Sequence, residues 1–104
     1  MREVTHGDIR AAARALLCQP SECWPILMQS FLTEAHIADC YRKRWGRAHP
    51  RLGNGTLMSV ALARCPVAEP VASDQVYLAA LAAVIAGVLD WKTRNNAGKN
   101  RAVV

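Results

Sequence analysis

The chain contains the uncharged stretch VYLAALAAVIAGVL at residues 76–89, and this stretch decides the fold. A bilayer core about 30 Å thick needs roughly 20 apolar residues to be crossed, and this run is shorter. We therefore predict a buried core helix and no membrane contact. Ser73 and Asp74 provide an N-terminal signal for this helix, which we expect to end at about residue 93, where Lys92 and Arg94 suit a helix C-terminus.

The predicted fourth helix has a large side and a small side. Every fourth residue on the small side is alanine or glycine, which allows a neighbouring backbone to come close. We expect either another helix of this chain or a second copy of the chain to lie there. The large side comprises Leu78, Leu81, Ile85 and Val88, and the small side comprises Ala79, Ala83 and Gly87.

Three further helices are predicted upstream from the spacing of apolar residues. The first covers about residues 7–18, with Thr5 or Asp8 as its N-cap, and ends before Pro20. The second is long, covering about residues 22–45, and the third covers about residues 56–64. The second helix carries a core stripe of Trp24, Leu27, Met28, Phe31, Leu32, Ala35 and Ala38, and a second row of Ile37, Tyr41 and Trp45.

The composition agrees with a helical fold, because alanine dominates while aromatic residues make up 6% of the chain. A chain of 104 residues can bury one hydrophobic core without metal or disulfide support. We predict an all-α fold, a small bundle of about four helices with a long helix 2 and an apolar helix 4. Residues 1–104 form a single domain in this prediction, with residues 95–104 as a flexible tail.

The net charge of +5 is concentrated in residues 42–51, which hold five basic side chains and no acid, while the rest of the chain is balanced. Tyr41 and Trp45 add aromatic surface beside this segment, a combination that favours nucleic-acid binding. The alternative is a solvated face whose cations compensate the helix dipole. The candidate residues are Arg42, Lys43, Arg44, Arg47, His49 and Arg51.

The turn Gly53-Asn54-Gly55-Thr56 follows the basic segment and leads into the third helix. Two glycines before a helix N-terminus can direct backbone N–H groups at an anion or a phosphate. The spacing matches no Walker loop, and no strand precedes it. The alternative is that the glycines supply left-handed turn conformations and Thr56 caps the helix. A helix-turn-helix motif is disfavoured, because the loop between the second and third helices is too long.

The residues that catalysis or metal binding requires are mostly absent. His36 and Cys40 are four residues apart and could supply two metal ligands, but no Cys-x2-Cys pair completes a set. The eight acidic residues are scattered singly. We therefore expect no enzyme, no catalytic residues, no metal and no cofactor. The N-terminus has no apolar run after its basic residue, which predicts a cytoplasmic protein with reduced cysteines.

Two segments resemble a family of short uncharacterised alphaproteobacterial proteins. They are HGDIRAAARALL at residues 6–17 and the stretch from Arg42 through HPRLGNGTLM at residues 49–58. The resemblance implies a bacterial cytoplasmic setting. It implies no activity and no site residues.

Two functional hypotheses follow from the sequence, which by itself leaves the function unknown. The first is a non-enzymatic helical module that acts through protein–protein contact, as a homodimer or on a larger partner. Its interface would be the row Ile37, Tyr41 and Trp45 or the small side of the fourth helix. The alternative is a nucleic-acid or phosphate binder that uses residues 42–51 and 53–56.

Overall fold

The computed structural model describes residues 1–64 and 66–100, with side chains as far as residue 95. This part of the chain contains four α-helices and one 3₁₀ turn, joined by loops. Within these residues there is no strand, and His49 and Gly53 form an isolated antiparallel bridge. The all-α prediction, with a long second helix and an apolar fourth, is confirmed. The helices are α1 (His6–Leu16), α2 (Trp24–Trp45), α3 (Leu57–Leu62) and α4 (Gln75–Asn100), and the 3₁₀ turn is Ser21–Cys23.

Local hydrogen bonds explain where α1 and α2 begin and end. Thr5 and Asp8 form a capping box at the start of α1, in which the Thr5 hydroxyl accepts from the Asp8 N–H and the Asp8 carboxylate accepts from the Thr5 N–H. At the break before α2, the Trp24 indole N–H donates to the Leu16 carbonyl at 2.7 Å. Gly46, with φ +70°, ends α2 in the left-handed conformation.

The core lies among the four helices, with both α1 and α2 packed against α3 and α4. In α1 it is formed largely by alanine, which lets α3 and α4 pack close to this helix. The predicted stripe of α2 is confirmed, with Leu27 only partly buried. The buried residues of the core are Ala11, Ala12, Ala13, Ala15, Leu16, Trp24, Met28, Phe31, Leu32, Ala35, Leu57, Val60, Ala61, Tyr77, Ala80, Val84 and Val88.

The side of α4 that faces the core differs from the predicted one. Leu78 and Ile85 are exposed, while Tyr77, Ala80 and Val84 take the buried positions and Val88 is buried as expected. The reason is a close approach to α2. A Cβ on Gly87 would lie 3.1 Å from the Cβ of Met28, so α4 must turn this small residue toward α2. That rotation carries the larger leucine and isoleucine side chains into solvent.

The length and burial of α4 also differ from the prediction. The helix continues to Asn100 instead of ending near residue 93. Residues 101–104 lie outside the described residues, and the flexible tail at residues 95–104 stays a prediction. The segment Gln75–Asn95 is long and apolar enough to cross a membrane, and only 22% of its most apolar window is buried. The helix does contribute to the core, as predicted, through Tyr77, Ala80, Val84 and Val88, but it buries only one of its sides.

The connection between α3 and α4 is fastened to α1 by charged and polar side chains. The Arg10 Nε donates to Glu69 Oε2 at 2.6 Å, and the Tyr77 hydroxyl donates to the same oxygen at 2.7 Å. Arg10 first, and then Tyr77, lower the pKa of Glu69 to about 2. Burial, together with Glu69, raises the pKa of Tyr77. Arg14 adds a hydrogen bond from Nε to the Val67 carbonyl at 2.7 Å.

Candidate functional site

The solvent side of α4 carries a row of apolar residues, which we call the α4 stripe: Leu78, Ala82, Ile85 and Leu89. They are spaced by four, three and four residues, so they lie along one side of the helix. Leu78 is 49% exposed, Ile85 52% and Leu89 64%. The sequence between Gln75 and Leu89 has no charged residue. A helix of a soluble bundle usually places charged groups on its solvent side, and α4 departs from that pattern here.

Charged residues lie only at the two ends of the α4 stripe. At the start of α4, the Asp74 carboxylate accepts from the Tyr77 N–H at 2.9 Å. Toward the C-terminal end, the Lys92 ammonium lies 3.5 Å from the carboxylate of Glu3, an exposed pair. Arg94 pairs with Asp90 one turn earlier in the same helix. One end of the stripe is therefore acidic and the other contains basic groups.

A shallow groove of about 260 Å³ separates α2 from α4. Of the small residues predicted to receive a neighbour, Ala83 and Gly87 face this groove and α2, while Ala79 is exposed. The neighbour at Ala83 and Gly87 is therefore another helix of this chain. The groove is lined by Pro25, Met28, Gln29, Leu32, Ala83, Ala86, Gly87 and Asp90.

The basic segment 42–51 divides into residues that serve the fold and residues that face solvent. The buried carboxylate of Asp39 pairs with Arg42 at 2.8 Å, with Lys43 at 3.3 Å and with the amino group of Met1 at 3.3 Å. Burial alone would raise the pKa of Asp39, but the hydrogen bonds from these cations, Arg42 first, lower it to about 2. Arg42 and Lys43 are thus partly neutralised by an internal acid.

The other three arginines of the segment, Arg44, Arg47 and Arg51, are exposed. Among the described residues, no acidic group lies within ion-pair distance of any of them. The Arg44 guanidinium lies over the exposed Trp45 ring, 5.1 Å from its centroid. These three unpaired cations, of which Arg44 lies over an exposed indole, remain as the candidate surface for a polyanion.

On both sides of the glycine turn, backbone N–H groups are bound by side chains of the same segment. His49 Nδ1 accepts from the N–H groups of Arg51 and Leu52 at 3.0 and 3.1 Å. The Asn54 side-chain oxygen accepts from the Thr56 N–H at 3.1 Å, and Thr56 Oγ1 accepts from the Ser59 N–H at 3.1 Å.

At the start of α3, the carboxylate of Asp8 accepts from the Met58 N–H at 2.9 Å, so a protein carboxylate already takes the position of an anion. Gly53 and Gly55 have φ +89° and +92°. The structure therefore favours the interpretation that they shape a turn, with Thr56 as the helix cap.

A family model described as a domain of unknown function, DUF7742, matches residues 2–88. The chain belongs to the DUF7742 family. No curated protein and no solved structure matches it. The DUF7742 match covers α1, α2, α3 and α4 as far as Val88, and therefore the basic segment and most of the α4 stripe. Leu89 and Lys92 lie just beyond it.

The remaining predicted interface residues of the DUF7742 domain lie on the C-terminal half of α2. Ile37 and Trp45 are exposed, whereas Tyr41 is half-buried between its neighbours. The Tyr41 ring centroid lies 6.3 Å from that of Trp45 and 4.8 Å from that of His49. The structure thus joins Tyr41 and Trp45 to the basic segment.

Residues that sequence reasoning considered for metal binding form a local polar contact. The Cys40 sulfur lies 3.7 Å from His36 Nε2, and the Met1 amino group lies 3.2 Å from His36 Nδ1. Within the residues that the structure describes, no group of three or more His, Cys, Asp or Glu side chains could hold a metal ion.

Sequence reasoning missed three features of the DUF7742 domain. It placed Leu78 and Ile85 in the core, and it overlooked the central positions of Asp8 and Asp39. Two of these left a signal in the sequence. Asp8 stands three residues after Thr5, the spacing of a capping box, and Asp39 stands three and four residues before two cations.

Proposed function

We propose that this protein is a non-enzymatic helical module that acts through protein–protein contact made by the α4 stripe. The observation that carries the proposal is the exposure of Leu78, Ile85 and Leu89 on a helix side that has no charge between residues 75 and 89. Contiguous exposed apolar side chains cost solubility and mark interaction surfaces in folded proteins. Because these side chains are already about half buried, covering the rest stabilises a complex by roughly 1 to 2 kcal/mol each before the costs of association are subtracted.

The substitution Ile85→Lys tests this proposal, because it places a charge at the middle of the stripe without touching the core. We expect the variant to keep the helix content and melting temperature of the wild type. We also expect it to lose every stoichiometric protein contact that the wild-type chain makes, measured by size-exclusion chromatography with light scattering, alone and after purification from the native host.

Ile26→Lys is the matched control, since Ile26 is 74% exposed on α2. The same change of residue there should leave the complex intact. A wild-type chain that is monomeric and associates with no protein would contradict the proposal. Retention of the complex by Ile85→Lys would do so as well.

The setting of the module is proposed from sequence alone. We place it in the cytoplasm of a bacterium, because two segments resemble short uncharacterised alphaproteobacterial proteins. We also propose that residues 1–104 act as one domain.

Nucleic-acid binding is the second candidate, and it is favoured by the exposed, unpaired Arg44, Arg47 and Arg51 and by the exposed Trp45 ring under Arg44. Three phosphate contacts predict that the association constant falls roughly 50-fold between 50 and 200 mM salt. The triple change of these arginines to Glu should abolish binding of a generic oligonucleotide, measured by fluorescence anisotropy, while the triple change to Lys should retain it. Absence of binding by the wild type at about 50 mM salt would exclude this candidate.

A further inference from the structure

We propose that the partner of the α4 stripe is a second copy of this chain, bound antiparallel through the same stripe. This inference rests on the proposed function and names its partner. Residues spaced four, three and four along a helix form the seam that two packed helices share. The α4 stripe has this spacing over Leu78, Ala82, Ile85 and Leu89.

The sizes of the four side chains define a self-complementary register. When two α4 helices run antiparallel about a twofold axis between positions 83 and 84, Leu78 of each copy lies opposite Leu89 of the other. Ala82 then lies opposite Ile85, so a small side chain faces a larger one at both central positions. The same residues thus serve both copies, as a twofold interface requires.

The charges at the ends of the stripe select the antiparallel orientation. In this register Lys92 of one copy lies opposite Gln75 of the other, one residue from the exposed Asp74 carboxylate. In a parallel pair the two Lys92 ammonium groups would face each other. Lys92 can change partner at little cost, since its present contact is an exposed carboxylate 3.5 Å away.

The charge pattern of α4 favours a second helix over a bilayer as the occupant of the stripe. Gln75–Asn95 is long and apolar enough to cross a membrane, but its uncharged run, residues 75–89, is shorter than the roughly 20 residues that a crossing helix needs. The opposite side of α4 packs in the core of the bundle through Tyr77, Ala80 and Val84. An α4 that crossed a bilayer would have to leave these contacts, whereas an antiparallel dimer leaves them in place.

The experiment uses two charge variants of the full chain, Leu78→Lys and Leu89→Glu, in reducing buffer. Sedimentation equilibrium should show a dimer for the wild type and at least about 100-fold weaker association for each variant alone, because both place charges against leucine twice per dimer. Mixed together, the two variants should pair to within about tenfold of wild-type affinity. In the mixed antiparallel dimer, the lysine introduced at position 78 of one copy lies opposite the glutamate introduced at position 89 of the other. The second such contact remains a pair of leucines.

Each other outcome overturns the proposal. A wild-type chain that is monomeric at about 100 μM would exclude the dimer. If that monomer still bound a different protein, and Ile85→Lys lost the complex, the proposed function would stand without the dimer. If the monomer bound no protein, both the dimer and the proposed function would be excluded. Persistent dimers of either single variant would place the contact elsewhere. Variants that are monomeric and do not pair would exclude the antiparallel register. Flotation of monomeric wild type with phosphatidylcholine and phosphatidylglycerol vesicles would identify a bilayer as the occupant. Circular dichroism must show both variants folded.

Discussion

Gly55→Ala is expected to lower the free energy of unfolding by about 3 kcal/mol or more, the largest loss for any single added methyl group in the loop between α2 and α3. Gly55 has φ +92°, which L-residues rarely adopt. A Cβ at this position would also lie 2.8 Å from the Cα and 2.9 Å from the Cβ of Asp39. Because those atoms belong to the middle of α2, they cannot move aside without displacing the helix.

Gly46→Ala is the matched control for this prediction. Gly46 also has positive φ, +70°, but nothing lies within 4 Å of an added Cβ. Only the conformational strain applies there, so we expect a loss of about 1 kcal/mol. Urea denaturation of both variants followed by circular dichroism measures the difference. Equal losses would show that the loop can withdraw from α2.

The contact at Gly55 explains how the loop is held against the rest of the bundle. The Gly55 carbonyl accepts from the Arg2 N–H at 3.0 Å, so the N-terminal segment, the loop and α2 meet at one point. Asp39 lies at the same point and pairs with Arg42, Lys43 and the Met1 amino group. The ion pairs of Asp39 and the packing of the Gly55 backbone against α2 therefore depend on one another.

The elements of the fold could be predicted from local signals, but the side of α4 that is buried could not. Trp24, Met28 and Phe31 share one side of α2 at helical spacing, and this periodicity identifies the core. In α4 nearly every side is apolar, so periodicity does not choose between Leu78 and Tyr77. The choice comes from contacts distant in sequence, namely the approach of Gly87 to Met28 and the hydrogen bond from Tyr77 to Glu69.

The candidate surfaces, too, could be predicted only in part from the sequence. Counting charges locates the basic segment, but the count does not reveal that Arg42 and Lys43 neutralise a buried acid while Arg44 and Arg47 stay exposed. Asp39 is covered by Gly55 of the loop and by the Met1 amino group, and residues so distant in sequence cannot be identified from its neighbours. The α4 stripe was not predicted, because its large residues were expected to face the core. In the structure α4 is rotated so that Leu78 and Ile85 face solvent instead.

Asp8→Ala is the second substitution with a large expected effect, a loss of about 3 kcal/mol in the free energy of unfolding. The buried Asp8 carboxylate accepts from the Thr5 N–H at 2.7 Å and from the Thr5 hydroxyl at 2.9 Å. Its other oxygen accepts from the Met58 N–H at 2.9 Å. One carboxylate therefore satisfies N–H groups at the starts of α1 and α3, and alanine would leave both without an acceptor.

Asp74→Ala is the control, because Asp74 also accepts an N–H at the start of a helix, from Tyr77, but is exposed. Water replaces an exposed acceptor, so we expect a loss of about 1 kcal/mol there. Thermal and urea unfolding of the two variants would measure the comparison, and equal losses would contradict the double role of Asp8. A threefold difference would show that α1 and α3 are joined at their N-termini by the same carboxylate.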